Sequence, residues 1–218
     1  MKTPVLCGVL ASLCIAASPT SAAIISFDFE SATATFVPPG GRTGSLTSLS
    51  LAQGGLTITI TRQNLVGFDI VQNTGSQAGK PAAWGLKSLD PFINDQGQAF
   101  IISFSAPVTS FSVEFGDFGG DAPDILQLSA FSGLGGTGAL LGSSSASYSG
   151  TFPAIQTGSV SAAGINSIVM IGGTPSFAHS VFYDNISVNS DIAAVPEPAT
   201  LALLGLGLAG LGWSRRKN

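Results

Sequence analysis

The sequence is short of three kinds of residue, and each shortage removes a class of function. Cysteine occurs twice, at Cys7 and Cys14, both inside an N-terminal apolar run. Beyond that run there is neither a disulfide framework nor a thiol nucleophile. Histidine occurs once, at His179, so a multi-histidine metal site within one chain is excluded and a Ser-His-Asp triad has a single candidate base. No Gly-x-Ser-x-Gly elbow accompanies it, and no Gly-rich phosphate loop with a lysine is present. Charged residues make up 9% of the chain, against about a quarter in typical soluble domains. Between residues 23 and 195, four basic residues stand against eleven acidic ones, a balance of −7. That segment has no basic footprint for a phosphate backbone, and nucleic acid is not an expected partner.

What is present points to strands. Few Lys and Glu residues, many Thr, Val, Ile and Phe, and 28 glycines favour sheet over helix. The expected class is all-β.

Both ends read as processing segments rather than fold. Residues 1–23 begin with Lys2, continue through an apolar stretch from Val5 to Ala17, and close on Ser18-Pro19-Thr20-Ser21-Ala22-Ala23. A positive start, a short apolar run and small residues form a secretory signal peptide, to be cut by signal peptidase after Ala22 or Ala23. A spanning anchor would need about 20 apolar residues.

Residues 195–218 hold Pro196-Glu197-Pro198, then an uncharged Leu, Gly and Ala run, then Trp213 and the basic cluster Arg215-Arg216-Lys217. Two prolines around a glutamate make a stiff, extended element suited to presentation. As a helix, Ala199 to Trp213 would span about 22 Å, short of the hydrocarbon core of about 30 Å. A marginal, transient anchor in the inner membrane follows, with the basic end held in the cytoplasm. These parts in this order resemble the PEP-CTERM sorting signal of Gram-negative, exopolysaccharide-producing bacteria. The resemblance implies recognition by an exosortase, a membrane cysteine protease, at Pro196, Glu197 and Pro198, and a place for the product in the biofilm matrix.

Residues 24–194 form the expected ectodomain, a jelly-roll-like antiparallel β-sandwich flanked by the signal-peptide helix and the short C-terminal transmembrane helix. Candidate strands are 24–29, 46–51, 56–61, 100–104, 109–115, 125–131, 165–171 and 181–188, with 139–145 as a further one. Residues 133–138 and 143–149 read as flexible connections.

Three acidic groups stand out. Asp28 and Glu30 share the polar face of the first strand, and Asp117, Asp121 and Asp124 fall in a Gly-rich hairpin loop. Asp184 has the parity of Phe182, Ile186 and Val188, so it is expected among apolar side chains and needs compensation. The segment weakly resembles galactose-binding-like jelly rolls used as carbohydrate-binding modules. That resemblance implies a structural calcium held by Glu30 and Asp184, with Asp28 behind them. The plainer alternative is that Asp28 and Glu30 are solvated while Asp184 accepts backbone N–H groups. Trp84, Phe92, Phe118 and Tyr148 are candidates for a sugar-stacking platform. A glycosidase would need two carboxyls about 5–9.5 Å apart; Glu30 and Glu114 are the only obvious glutamates. The expected product is a non-enzymatic surface or matrix protein able to bind polysaccharide, the alternatives being a glycan-active hydrolase or a structural adhesin.

Overall fold

The computed structural model describes residues 23–91, 98–119, 123–174 and 180–190. The expected signal peptide before Ala23, the expected sorting tail, Phe92, Asp121 and His179 lie outside them. Ten strands make one antiparallel hydrogen-bonded network: β1 (Ala23–Phe27), β2 (Ser48–Gln53), β3 (Leu56–Arg62), β4 (Asp69–Gln72), β5 (Lys87–Asp90), β6 (Phe100–Gly116), β7 (Asp124–Phe131), β8 (Leu140–Tyr148), β9 (Gln156–Gly173) and β10 (Phe182–Ser190). Among the described residues the only helical pieces are short 3₁₀ turns, and no helix is long and apolar enough to cross a membrane.

β3 shows how sequence becomes sheet. Leu56, Ile58 and Ile60 alternate with Thr57, Thr59 and Thr61, so one face enters the core and the other stays polar. It is joined to β2 through Gly54 and Gly55, both at positive φ. A two-residue hairpin turn of this hand needs that conformation at both positions, and glycine adopts it without a Cβ penalty.

The two long strands give the network its depth. The first half of β6 pairs with β3, and its second half with β10. β9 follows β6 along its length, while only its last residues pair with β7. The β6–β9 register shifts between Ser103 and Ser110, around Pro107, which has no N–H to give a ladder. Across from it Gly164 sits at φ +76. The sheet therefore turns a corner and folds over itself in a sandwich-like arrangement. Its packing is visible at Gly158 of β9, where a Cβ would lie 2.5 Å from Leu126 Cδ2 of β7, although Leu126 pairs in register with Gly172 instead. The core between the layers is built from Phe27, Phe29, Ile58, Ile60, Phe100, Phe111, Phe115, Leu126, Ile168 and Ile186, among others. β1 closes one side, with Ala23 opposite Ser190 of β10.

Several expected boundaries change. Segments 100–104 and 109–115 are one bent strand, because Pro107 marks a corner rather than an end. Segment 165–171 is the second half of β9, whose Gly- and Ser-rich first half pairs with β6 from Gln156 onward. Most of 143–149 is not a flexible connection but β8, held on Asp124–Phe131. β4 and β5 were not expected at all.

Candidate functional site

The described domain brings charge and aromatic rings together most densely on the face of β10, β5 and β4 that turns away from the main core. Phe182, Phe36, Val71 and Trp84 form a second apolar cluster there, with Phe152 and Ile155 packed against it. Phe118 stacks edge-on to Phe152 and Phe182, at 5.0 Å and 5.8 Å between ring centroids. Arg42 Nε meets Asp90 Oδ2 at 2.6 Å, and its guanidinium carbon lies 5.6 Å from the Phe182 ring centroid. Lys80 Nζ stands 3.7 Å from the same centroid, a distance at which the ring quadrupole attracts a cation.

Local sequence explains this crowding. β4 and β5 pair Asp69 with Asp90, two buried carboxylates that would repel if each lacked partners. Asp90 has Arg42. Asp69 accepts from the hydroxyls of Thr35 and Thr43 at 2.7 Å and 2.8 Å and from the N–H groups of Thr43 and Gly44 at 2.9 Å and 2.8 Å. Loop 43–44 is thereby clamped onto β4, and Gly67 passes so close to Gly44 that it has no room for a side chain.

The residues singled out as metal ligands are near one another but otherwise engaged. Glu30 Oε1 accepts the N–H groups of Leu86 and Lys87 at 2.6 Å and 2.9 Å. Asp28 Oδ1 accepts the Glu30 N–H at 3.2 Å. Glu114, the register partner of Asp184, accepts the Trp84 indole N–H at 2.9 Å and the Asn185 amide at 2.8 Å. Among the described residues no three of Asp, Glu, His or Cys are disposed to hold a metal ion. One oxygen each of Glu30, Asp184 and Asp28 is taken up by backbone N–H groups, where a calcium ion would draw on six to eight oxygens.

Asp184 is fully buried. Its Oδ1 accepts the Asn185 N–H at 2.7 Å, while Oδ2 has no hydrogen-bond partner. Its parity is only half as expected: Asn185, at φ 48, sits in a bulge, so Asp184 and Phe182 face the second cluster while Ile186 and Val188 face the main core. Burial pushes the Asp184 carboxyl up to about 8, against the Asn185 N–H and with the charges of Asp28, Glu30 and Glu114 behind it. The group is a neutral acid through most of the physiological range.

A pH dependence follows. Between the ordinary carboxylate value of 3.8 and about 8, the folded chain keeps a proton that the unfolded chain releases. This group's contribution is therefore complete below the ordinary value and is lost as pH rises through about 8, at no more than about 1.4 kcal/mol per pH unit. Urea unfolding across that window should show the slope, and Asp184→Asn should flatten it. A bound cation would keep the carboxylate ionised, and a chelator would then lower stability. An unchanged slope in Asp184→Asn would assign the effect elsewhere.

Of the candidates for a sugar-stacking platform, Trp84 and Tyr148 are interior residues and Phe118 is partly open, at 38%, while Phe92 lies outside the described residues. The acidic hairpin is likewise partly structural: Asp124 opens β7 and accepts the Ser180 hydroxyl at 2.9 Å, and Asp117 accepts the Phe118 N–H at 2.6 Å. The roles of Arg42, Lys80 and Asp90 carried no sequence signal, since each depends on a loop folding back across β10.

The open faces are instead rich in hydroxyls. Ser26, Ser187, Ser112 and Ser159 lie in register across β1, β10, β6 and β9, with Ser26 Oγ and Ser187 Oγ 3.0 Å apart. Ser50, Thr59 and Ser103 make a second row across β2, β3 and β6.

Comparison with known families places residues 194–217 in the PEP-CTERM protein-sorting motif. The matched segment contains Pro196, Glu197, Pro198, Arg215, Arg216 and Lys217. The motif marks an exported protein that is processed by an exosortase and associates with the membrane during sorting. A search of curated proteins found none that matches the chain.

Proposed function

We propose that this is a non-catalytic surface or matrix protein, released from its membrane stage by cleavage at Pro196-Glu197-Pro198 and retained at the cell envelope or in the surrounding exopolysaccharide. The sorting motif at 194–217 carries the reading. The domain supports it in three ways. It has an acidic balance and no cysteine beyond residue 14. The buried carboxylates Asp69 and Asp90 are engaged in holding loops. Its rows of serine and threonine spaced by the strand separation, about 4.8 Å, offer alternating donors and acceptors to a neutral, hydroxylated polymer. Contact with polysaccharide would then be broad and individually weak rather than made in a cleft.

The experiment is to replace Pro196-Glu197-Pro198 by three alanines in the native host and follow both tail and domain. Mass spectrometry should show the tail removed from the wild type and retained in the variant, with the variant held in the inner-membrane fraction. Identical processing and identical location of the two proteins would refute the sorting role of the tripeptide. A wild type that is processed but never reaches the surface or medium would refute the matrix role alone.

A further inference from the structure

Lys80 has surroundings that its packing alone does not demand. It is 7% exposed, and its Nζ lies 3.1 Å from Asn73 Oδ1 and 2.8 Å from Ser88 Oγ. The Ser88 hydroxyl donates to the same Asn73 oxygen at 2.9 Å, and Asn73 Nδ2 donates to the Gly85 carbonyl at 3.3 Å. The carboxamide is thus fixed in orientation, with its carbonyl oxygen polarised by two donors. Its carbon is one bond from the atom that Nζ already touches. Ser88 is fully buried and the Phe182 ring covers Nζ, so water competes poorly.

From this geometry we infer that Lys80 and Asn73 join in an intramolecular amide bond, an isopeptide cross-link formed without any external reagent. The neutral Lys80 amine attacks Asn73 Cγ, and the carbonyl electron pair moves onto Oδ1, where the Ser88 hydroxyl donates. As the carbonyl re-forms, the Cγ–Nδ2 bond breaks. The leaving nitrogen takes the proton given up by Nζ and departs as ammonia. Nothing is oxidised or reduced, and the preorganised donors act where negative charge develops.

The amine is available for the step. Burial pushes Lys80 down to about 7; Asp90 and Asp184 oppose the fall and Arg42 adds to it. A substantial fraction is therefore unprotonated near neutral pH, as a nucleophilic lysine requires. The product replaces a buried ammonium by a neutral amide and removes the cost of keeping that charge out of water. It also closes the segment 73–80 covalently over the aromatic cluster, in a domain with no cysteine to do the same.

Peptide mapping of the full chain tests this. Trypsin cuts after Arg62 and Lys87 but poorly before Pro81, so one peptide, 63–87, carries both residues. In the wild type it should be lighter by one ammonia and give no backbone fragments between positions 73 and 80. Cyclisation of Gln63 also loses ammonia, but fragments would place that loss at the peptide's start. A succinimide at Asn73 would leave the fragments from 74 to 80 intact. Lys80→Arg should restore the linear mass, and Asn73→Asp should form the same ring with loss of one water instead. An unmodified wild-type peptide overturns the inference, as does a loss within 73–80 that persists in Lys80→Arg.

Discussion

Replacing Trp84 by alanine is expected to destabilise the domain by about 3–5 kcal/mol, the range for removing a large buried aromatic. The ring is 1% exposed, packs with Phe36, Val71 and Phe182, and meets Phe152 edge-on at 5.3 Å. Its loss would empty the middle of the second cluster and leave Glu114 Oε2 with only the Asn185 amide. Since small domains have about 5–15 kcal/mol in total, the variant should show a large drop in urea midpoint and ready proteolysis of the segment that crosses β10. Trp84→Phe keeps a ring but removes the indole donor and part of the buried volume, so it should cost about 2 kcal/mol, clearly less than alanine. Were the alanine variant to lose no more than about 0.5 kcal/mol, the usual cost at a surface position, Trp84 would be a surface residue after all and a sugar-stacking role would return.

Asp69→Ala is the second large effect, and its comparison with Asp69→Asn tells why. Alanine leaves the N–H groups of Thr43 and Gly44 facing an empty pocket, at about 1–3 kcal/mol for each stranded donor. Asparagine can turn its oxygen toward those two fixed amides and its NH₂ toward the hydroxyls of Thr35 and Thr43, which can rotate to accept. The alanine variant should therefore lose about 3–5 kcal/mol and the asparagine variant clearly less. Burial alone would raise this carboxyl, but the Gly44 N–H, the Thr35 and Thr43 hydroxyls and the Thr43 N–H hold it below its ordinary 3.8. Its stabilisation is present above that value and fades as pH falls through the lower folded value, opposite in sign to Asp184. Equal losses in the two variants, measured by chemical unfolding at neutral pH, would show that the clamp depends on charge rather than on the acceptor pattern.

The parts of this protein that were legible in its sequence are those governed by local pattern. The alternation of Leu56, Ile58 and Ile60 with three threonines sets a strand face without reference to anything distant. The sorting tail is legible because its order of parts is linear and needs no fold. What escaped was set by distant pairing. The first half of β9 contains Gly158, Ser159, Ala162 and Gly164, a composition that locally favours loop. It is a strand because β6 supplies its ladder and because small residues admit Leu126. β4 and β5 are four residues each and carry buried aspartates, which Arg42, Thr35 and loop 43–44 help make tolerable. Asp184 is buried, as its parity with Phe182 implies, but the bulge at Asn185 sent it toward a different cluster from Ile186, and a one-residue slip of that kind is invisible to periodicity. Trp84 was grouped with loop aromatics; it does lie in a turn, yet that turn is folded inward.

The register of Ala23 opposite Ser190 sets the outermost points of the domain side by side, about 5 Å apart as in any antiparallel pair. Whatever precedes the one and follows the other leaves from a single pole. Processing at the motif of residues 194–217 falls beyond that pole, so no described strand has to leave its place when the chain is cut there.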